Sequence, residues 1–163
     1  MKHTTLSISC LLAFYLCIGQ IVELKEKEPY TLNGLEYGYI IKNEQLKSVS
    51  KEEYSRFEIT LYASNKSGCT KLFAEKTSAN TDNNVIANFS CVNANGKRLT
   101  SKSGSLNIQG FYVTIKLADK DTKVKAGYSF RNGETIKNNI ILLVPKGTRP
   151  EVQLTTNYLV ELQ

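Results

Sequence analysis

The chain has 163 residues, 21 of them basic and 15 acidic, with a single histidine, His3, and no tryptophan. A lone histidine at the N-terminus leaves the rest of the chain without Ser-His-Asp triads, histidine general bases or the usual four-ligand zinc sets. The modest basic excess permits attraction to an anionic partner without requiring one, and no specific nucleic-acid partner is predicted.

Residues 1–19 read as a secretory signal. Lys2 precedes an apolar run over 6–19 that ends in small residues. The run is shorter than the about 20 residues a bilayer span needs. Cleavage between Gly19 and Gln20 puts Cys17 and Gly19 at the two small-residue positions. Neither Cys10 nor Cys17 follows a leucine and two small residues, so a lipid anchor is not expected. No later run is long and apolar enough to span a membrane. The expected location is secreted, periplasmic or cell-surface, with Cys10, Cys17 and His3 lost on cleavage. Residues 20–30 form a charged lead-in expected to be mobile, and 31–163 a single domain.

From there the chain is a series of short alternating runs broken by turn residues. Asn33-Gly34 is a hairpin signal, followed by a strand "EYGYIIK". Ser50 and Glu53 have capping-box spacing, with Val49 and Tyr54 as a staple, which predicts a helical turn or two. In "RFEITLYA", Phe57, Ile59, Leu61 and Ala63 share one face and Glu58, Thr60 and Tyr62 the other. "CTKLFAE" and "VIANFSCV" are the next strands, the second placing Val85, Ala87, Phe89 and Cys91 in phase. Asn95-Gly96 and Asn132-Gly133 are further hairpin signals. "SLNIQGFYVTIKL" changes parity at Gln109-Gly110, which predicts a bulge or bend. "KVKAGYSF" is in phase at Val124, Ala126, Tyr128 and Phe130. "IILLV" reads as a strand covered on both faces, and residues 152–162 as a terminal strand. The fold class is all-β: an immunoglobulin-like antiparallel β-sandwich of about eight or nine strands, with a closed β-barrel as the alternative.

Two cysteines remain after cleavage, Cys69 and Cys91. An exported chain with an even count predicts a disulfide between them. Closing a loop of about 20 residues stabilises by roughly 3 kcal/mol. Without a histidine, Cys69 lacks the base that a cysteine nucleophile usually needs.

No metal site or cofactor is predicted. Asp82-Asn83-Asn84 and Asp119-Lys120-Asp121 offer oxygens but complete no calcium loop. A hydrolase would have to draw on Glu52, Glu53, Glu58, Asp119 and Asp121. No phosphate loop or nucleophile elbow occurs, so the chain reads as a binding protein rather than an enzyme.

Two candidate surfaces follow. Lys97, Arg98, Lys102, Lys116, Lys120, Lys123 and Lys125 form a basic stretch suited to an anionic partner, although edge lysines also block unwanted pairing. Tyr37 and Tyr39 share a face and form a candidate aromatic strip, or else roof the core. The expected function is a disulfide-stapled β-sandwich that binds a protein or an anionic polysaccharide at or outside the cell surface. A structural subunit assembled by pairing of the terminal strand is the alternative. Asn65-Lys66-Ser67 and Asn88-Phe89-Ser90 are N-glycosylation sequons.

Overall fold

The structure, a computed structural model, describes residues 21–75, 84–92, 104–156 and 159–162. The signal at 1–19, the Asn95-Gly96 turn, Asp82, Asn83 and the patch residues Lys97, Arg98 and Lys102 lie outside the described residues.

Among the described residues the chain is all strand and turn, with no helix. The strands are β1 (Ile21–Leu24), β2 (Tyr30–Leu32), β3 (Leu35–Val49), β4 (Glu52–Asn65), β5 (Lys71–Glu75), β6 (Val85–Val92), β7 (Gly104–Asn107), β8 (Gln109–Leu117), β9 (Lys120–Phe130), β10 (Thr135–Pro145), β11 (Glu151–Thr156) and β12 (Leu159–Glu161). They form three antiparallel sheets, ordered β1-β11-β6-β7, β10-β4-β3-β2 and β12-β5-β9-β8. Among the described residues each sheet has two edge strands and none closes on itself, so the closed-barrel alternative is set aside. There are more strands than the eight or nine expected, because two sequence runs, those giving β7 with β8 and β11 with β12, divide between the first and third sheets, and because the lead-in contributes β1.

The core lies where β4 and β10 of the second sheet face the first. Phe57, Ile59, Leu61 and Ala63 are fully buried, joined by Leu142 and Val144 from β10 and by Phe89, Val152 and Leu154 from the first sheet. The alternation in "RFEITLYA" puts these side chains on one face, and their burial drives the pairing. Truncating a buried phenylalanine such as Phe57 to alanine costs about 3–5 kcal/mol. Gly104 of β7 makes the approach possible: a Cβ there would come within 2.3 Å of Leu61. Asn138 of β10 donates across to the Ser105 carbonyl at 3.0 Å.

Five local expectations change. Ser50 and Lys51 do not open a helix. Both have positive φ, 53° and 71°, and form the two-residue turn joining β3 to β4. The long pairing of β3 with β4 outweighs the local capping signal, and a type I′ turn is what its twist requires. Asn33-Gly34 makes the same kind of turn between β2 and β3, and Ala118-Asp119 between β8 and β9. The lead-in is structured rather than mobile from Ile21: β1 pairs with β11, and Leu24 is buried. The parity change near Gln109 marks where the chain leaves the first sheet, after β7, and enters the third as β8. "IILLV" is covered on one face only, since Ile141 and Leu143 are 49% and 44% exposed. Likewise Asn132-Gly133 is a turn but not a hairpin, for it carries the chain from β9 in the third sheet to β10 in the second.

The three-way junction near that turn is held by Asn65, the last residue of β4, whose side chain is fully buried. Its Nδ2 donates to the Cys69 carbonyl at 2.9 Å and the Phe130 carbonyl at 2.7 Å. Its Oδ1 accepts from the Ser67 N–H at 3.0 Å and the Ser67 hydroxyl at 2.7 Å. That fills the amide's two donors and both acceptor positions. Its backbone adds bonds to Glu134 and Gly133 in the β9–β10 turn, and Lys66 N–H donates to Gly34 O in the β2–β3 turn.

Candidate functional site

Four lysines of the predicted basic stretch fall on one hairpin, and the geometry of that hairpin follows from Gly127. β5 pairs with β9 only from Tyr128 to Phe130. At Gly127, with φ 143°, a Cβ would meet the Phe73 carbonyl at 2.3 Å. Here β9 passes tightly against β5 and then leaves it. Beyond this point, among the described residues, β8 and β9 continue as a two-stranded arm from Tyr112↔Lys125 to Leu117↔Lys120, closed by Ala118 and Asp119. A register shift at Phe111/Tyr112 leaves Ala126 unmatched as a bulge, which re-aims the arm's faces relative to the body.

The two faces differ in chemistry. One carries Tyr112, Thr114 and Lys116 opposite Lys125, Lys123 and Asp121. The Lys123 ammonium lies 5.1 Å from the centre of the Tyr112 ring, and that of Lys125 lies 4.2 Å from the Tyr128 ring and donates to its hydroxyl at 2.8 Å. These are cation–π contacts. Lys116 lies 3.7 Å from Asp119. The other face carries Val113, Ile115 and Leu117 opposite Val124, Thr122 and Lys120. Ile115, Leu117 and Val124 are exposed. Lys123 and Lys125 therefore share a face, as their spacing implies, and Lys116 joins them. Lys120 falls on the apolar face.

β8 is the outer strand of its sheet, and the turn decides which backbone groups it offers. A two-residue turn makes its flanking pair, Leu117 and Lys120, hydrogen-bonded. Antiparallel alternation then points the N–H and C=O of Tyr112, Thr114 and Lys116 away from β9. These groups share residues with the basic, aromatic face.

The other expected site residues are placed differently. Cys69 and Cys91 do not form the expected disulfide; both thiols are free. Cys91 points into the core from β6, opposite Val152, and burial pushes its thiol up to about 11. Cys69 is exposed in a loop that Asn65 ties to β9 and the β9–β10 turn, in the second and third sheets, whereas Cys91 belongs to the first. Tyr37 and Tyr39 share a face, but it is the core face rather than an exposed strip: they are 3% and 6% exposed. Burial, then the charge of Glu161, raises the Tyr37 hydroxyl above its ordinary range. Burial, then Glu26, does the same for Tyr39.

The candidate acids are distributed. Glu52 accepts from the Tyr54 hydroxyl, Glu53 pairs with Lys146 at 2.5 Å and Glu58 with Arg56 at 2.5 Å. Asp119 and Asp121 sit at the arm's tip. The terminal segment divides into β11, flanked by β1 and β6, and β12 at the opposite edge of the third sheet from β8.

Comparison of the chain with family models, with curated proteins and with solved structures returned no match.

Proposed function

We propose that this chain is an exported binding module whose partner is a protein, taken as an added strand along β8. The observation that carries the reading is the edge of β8, unpaired among the described residues, with outward backbone groups at Tyr112, Thr114 and Lys116. An extended segment pairing there would gain main-chain hydrogen bonds, and the two faces of the arm would select its alternate side chains. Acidic residues suit the face of Tyr112, Lys116, Lys123 and Lys125; apolar residues suit the face of Val113, Ile115, Leu117 and Val124. The arm carries more lysine than aspartate, which favours an acidic partner. A two-stranded ribbon is only marginally stable by itself, so an added strand also strengthens the arm. We read the protein as a binder rather than an enzyme on the absence of histidine and of a catalytic motif in the cleaved chain. We further read the first and second sheets as an immunoglobulin-like sandwich, on their antiparallel pairing and shared core. Export rests on the signal pattern at 1–19.

A capped ten-residue peptide alternating glutamate and valine is the probe. Calorimetric titration should give binding that weakens between low and high salt. Thr114→Pro removes an outward N–H without touching a β8–β9 bond, and the added ring blocks the edge. It should leave the thermal transition in place and weaken peptide binding tenfold or more. Unchanged affinity in Thr114→Pro would overturn the reading.

A further inference from the structure

The outer face of the second sheet, independent of the arm, is built as a trough. Its rows run across three strands. Tyr62 of β4 lies between Gly38 of β3 and Lys137 of β10; Thr60 lies between Ile40 and Asn139; Ser64 lies between Glu36 and Thr135. At Ile41/Asn43 the register shifts and leaves Lys42 unmatched, as a bulge that aims its side chain at the same surface. The hollow bounded by Tyr62, Thr60, Lys42, Lys137 and Asn139 measures about 400 Å³, within the range of small-ligand sites. A second hollow of about 360 Å³ shares Lys42, Thr60 and Asn139 and continues past Ile141. Together they make a trough longer than one sugar ring.

The lining is aromatic, neutral-polar and basic at its centre, with an acid toward each end: Glu58, which Arg56 already pairs at 2.5 Å, and Glu36 beside Ser64. Gly38 lets Tyr62 lie down: a Cβ at Gly38 would be 2.5 Å from the Tyr62 hydroxyl oxygen and 2.6 Å from its Cζ. The ring therefore lies across the sheet instead of standing up from it, and its outer face is a platform for an apolar sugar face. Thr60 donates to Asn139 Oδ1 at 2.7 Å, which leaves the Asn139 amide hydrogens directed outward as donors. Ser64 and Thr135 are linked at 2.8 Å. Among the described residues neither Lys42 nor Lys137 has an ion-pair partner, in contrast to Lys71, Lys116 and Lys146. A flat aromatic surface, a row of neutral donors and two uncompensated ammonium groups together suit a hydroxylated chain bearing negative charge.

We propose that this trough binds an acidic oligosaccharide, with a sugar ring on Tyr62 and its carboxylate or sulfate held between Lys42, Asn139 and Lys137. The site goes beyond strand addition at β8 and uses none of the same residues.

Three tetrasaccharides test it by calorimetric titration of the full protein: tetragalacturonate, a heparin-derived sulfated tetrasaccharide, and neutral maltotetraose. One or both acidic probes should bind, at least tenfold more tightly than maltotetraose, and the stronger of the two tells carboxylate from sulfate recognition. Lys137→Ala and Tyr62→Ala should each weaken that binding about tenfold. Gly38→Val should do the same by lifting the ring, with Tyr62→Ala deciding if Gly38→Val does not fold. Amide shift changes on binding should centre on Thr60, Tyr62, Lys137 and Asn139. Equal affinity for all three probes, no binding of either acidic probe, or shifts centred on the arm would overturn the proposal. Thr114→Pro should leave acidic-sugar binding intact. Loss of sugar binding in Thr114→Pro, with Lys137→Ala unaffected, would place the sugar on β8 and reject the trough.

Discussion

Asn65 offers the sharpest test of how the second and third sheets are held together. In Asn65→Ala the backbone bonds to Glu134 and Gly133 remain, while four side-chain bonds disappear. They do not count equally. The Phe130 carbonyl loses a donor in the buried interior, where an unmet polar group costs about 1–3 kcal/mol. The Cys69 carbonyl and the Ser67 groups lie toward the exposed loop, where water replaces much of the loss, about 1 kcal/mol or less in total. The expected destabilisation is about 3 kcal/mol, or roughly 10 °C in thermal midpoint for a domain of this size. Asn65→Asp separates donors from acceptors. It keeps the acceptor for Ser67 but sets a carboxylate oxygen against two carbonyls that Nδ2 approaches at 2.9 and 2.7 Å. That contact raises the new carboxyl's folded pKa above its usual value of about 4. A raised folded pKa means the variant's stability is fully present below the unfolded pKa and is lost as pH rises through the folded one. Asn65→Asp should thus trail wild type most near neutrality and recover toward it below about pH 4. Urea unfolding at several pH values, with Asn88→Ala as the control, measures this. Asn88 is half-buried and accepts one side-chain bond, from Ser105 at 2.6 Å, so its loss should be small, about 1 kcal/mol. A loss below about 1 kcal/mol in Asn65→Ala, or no pH trend in Asn65→Asp, would refute this account of the junction.

Two further predictions concern the thiols and a turn. In the chain cleaved after Gly19, a thiol reagent should modify Cys69 at once and Cys91 only after denaturation; two unreactive cysteines before reduction would restore the disulfide. Burial raises the Cys91 thiol from 9.0 to about 11, so its contribution to stability is whole below the lower value and is lost as pH climbs through the upper. Cys91→Ala should flatten that part of the alkaline stability profile, leaving the part due to buried Tyr37 and Tyr39. At the β3–β4 turn, replacing Ser50 with Asn and Lys51 with Gly supplies the residues that positive φ favours. The double variant should gain about 1 kcal/mol in urea unfolding, and a loss instead would mean that the native side chains make contacts worth more than the backbone strain.

What could be read in advance was what depends on neighbours in the chain. Alternation placed Phe57, Ile59, Leu61 and Ala63 on the core face and Lys123 with Lys125 on one side of a strand, because period two is a property of any extended run. Cys91 was in phase with the core for the same reason. Its pairing with Cys69 was inferred from compartment and count, which say nothing about distance, and the two belong to different parts of the fold. Ser50 and Glu53 satisfy a helix cap by spacing alone; only the extended ladder between β3 and β4, formed by residues up to 30 apart in sequence, turns the same letters into a hairpin. The trough was illegible because each of its rows draws on β3, β4 and β10, so no local window contains Gly38, Tyr62 and Lys137 together. The parity change at Gln109 was visible, but a bulge and a change of sheet leave the same mark in one dimension.

Asn65 has one more consequence. It heads the Asn-Lys-Ser sequon, whose modification attaches a sugar to Nδ2, the atom whose two hydrogens are both given to carbonyls in the folded chain. The folded protein hides its acceptor, and a glycan at Nδ2 would replace one of the two donated hydrogens at a fully buried position. Modification at this asparagine would therefore have to precede folding, and it would remove at least one of the two bonds that Nδ2 gives to the junction.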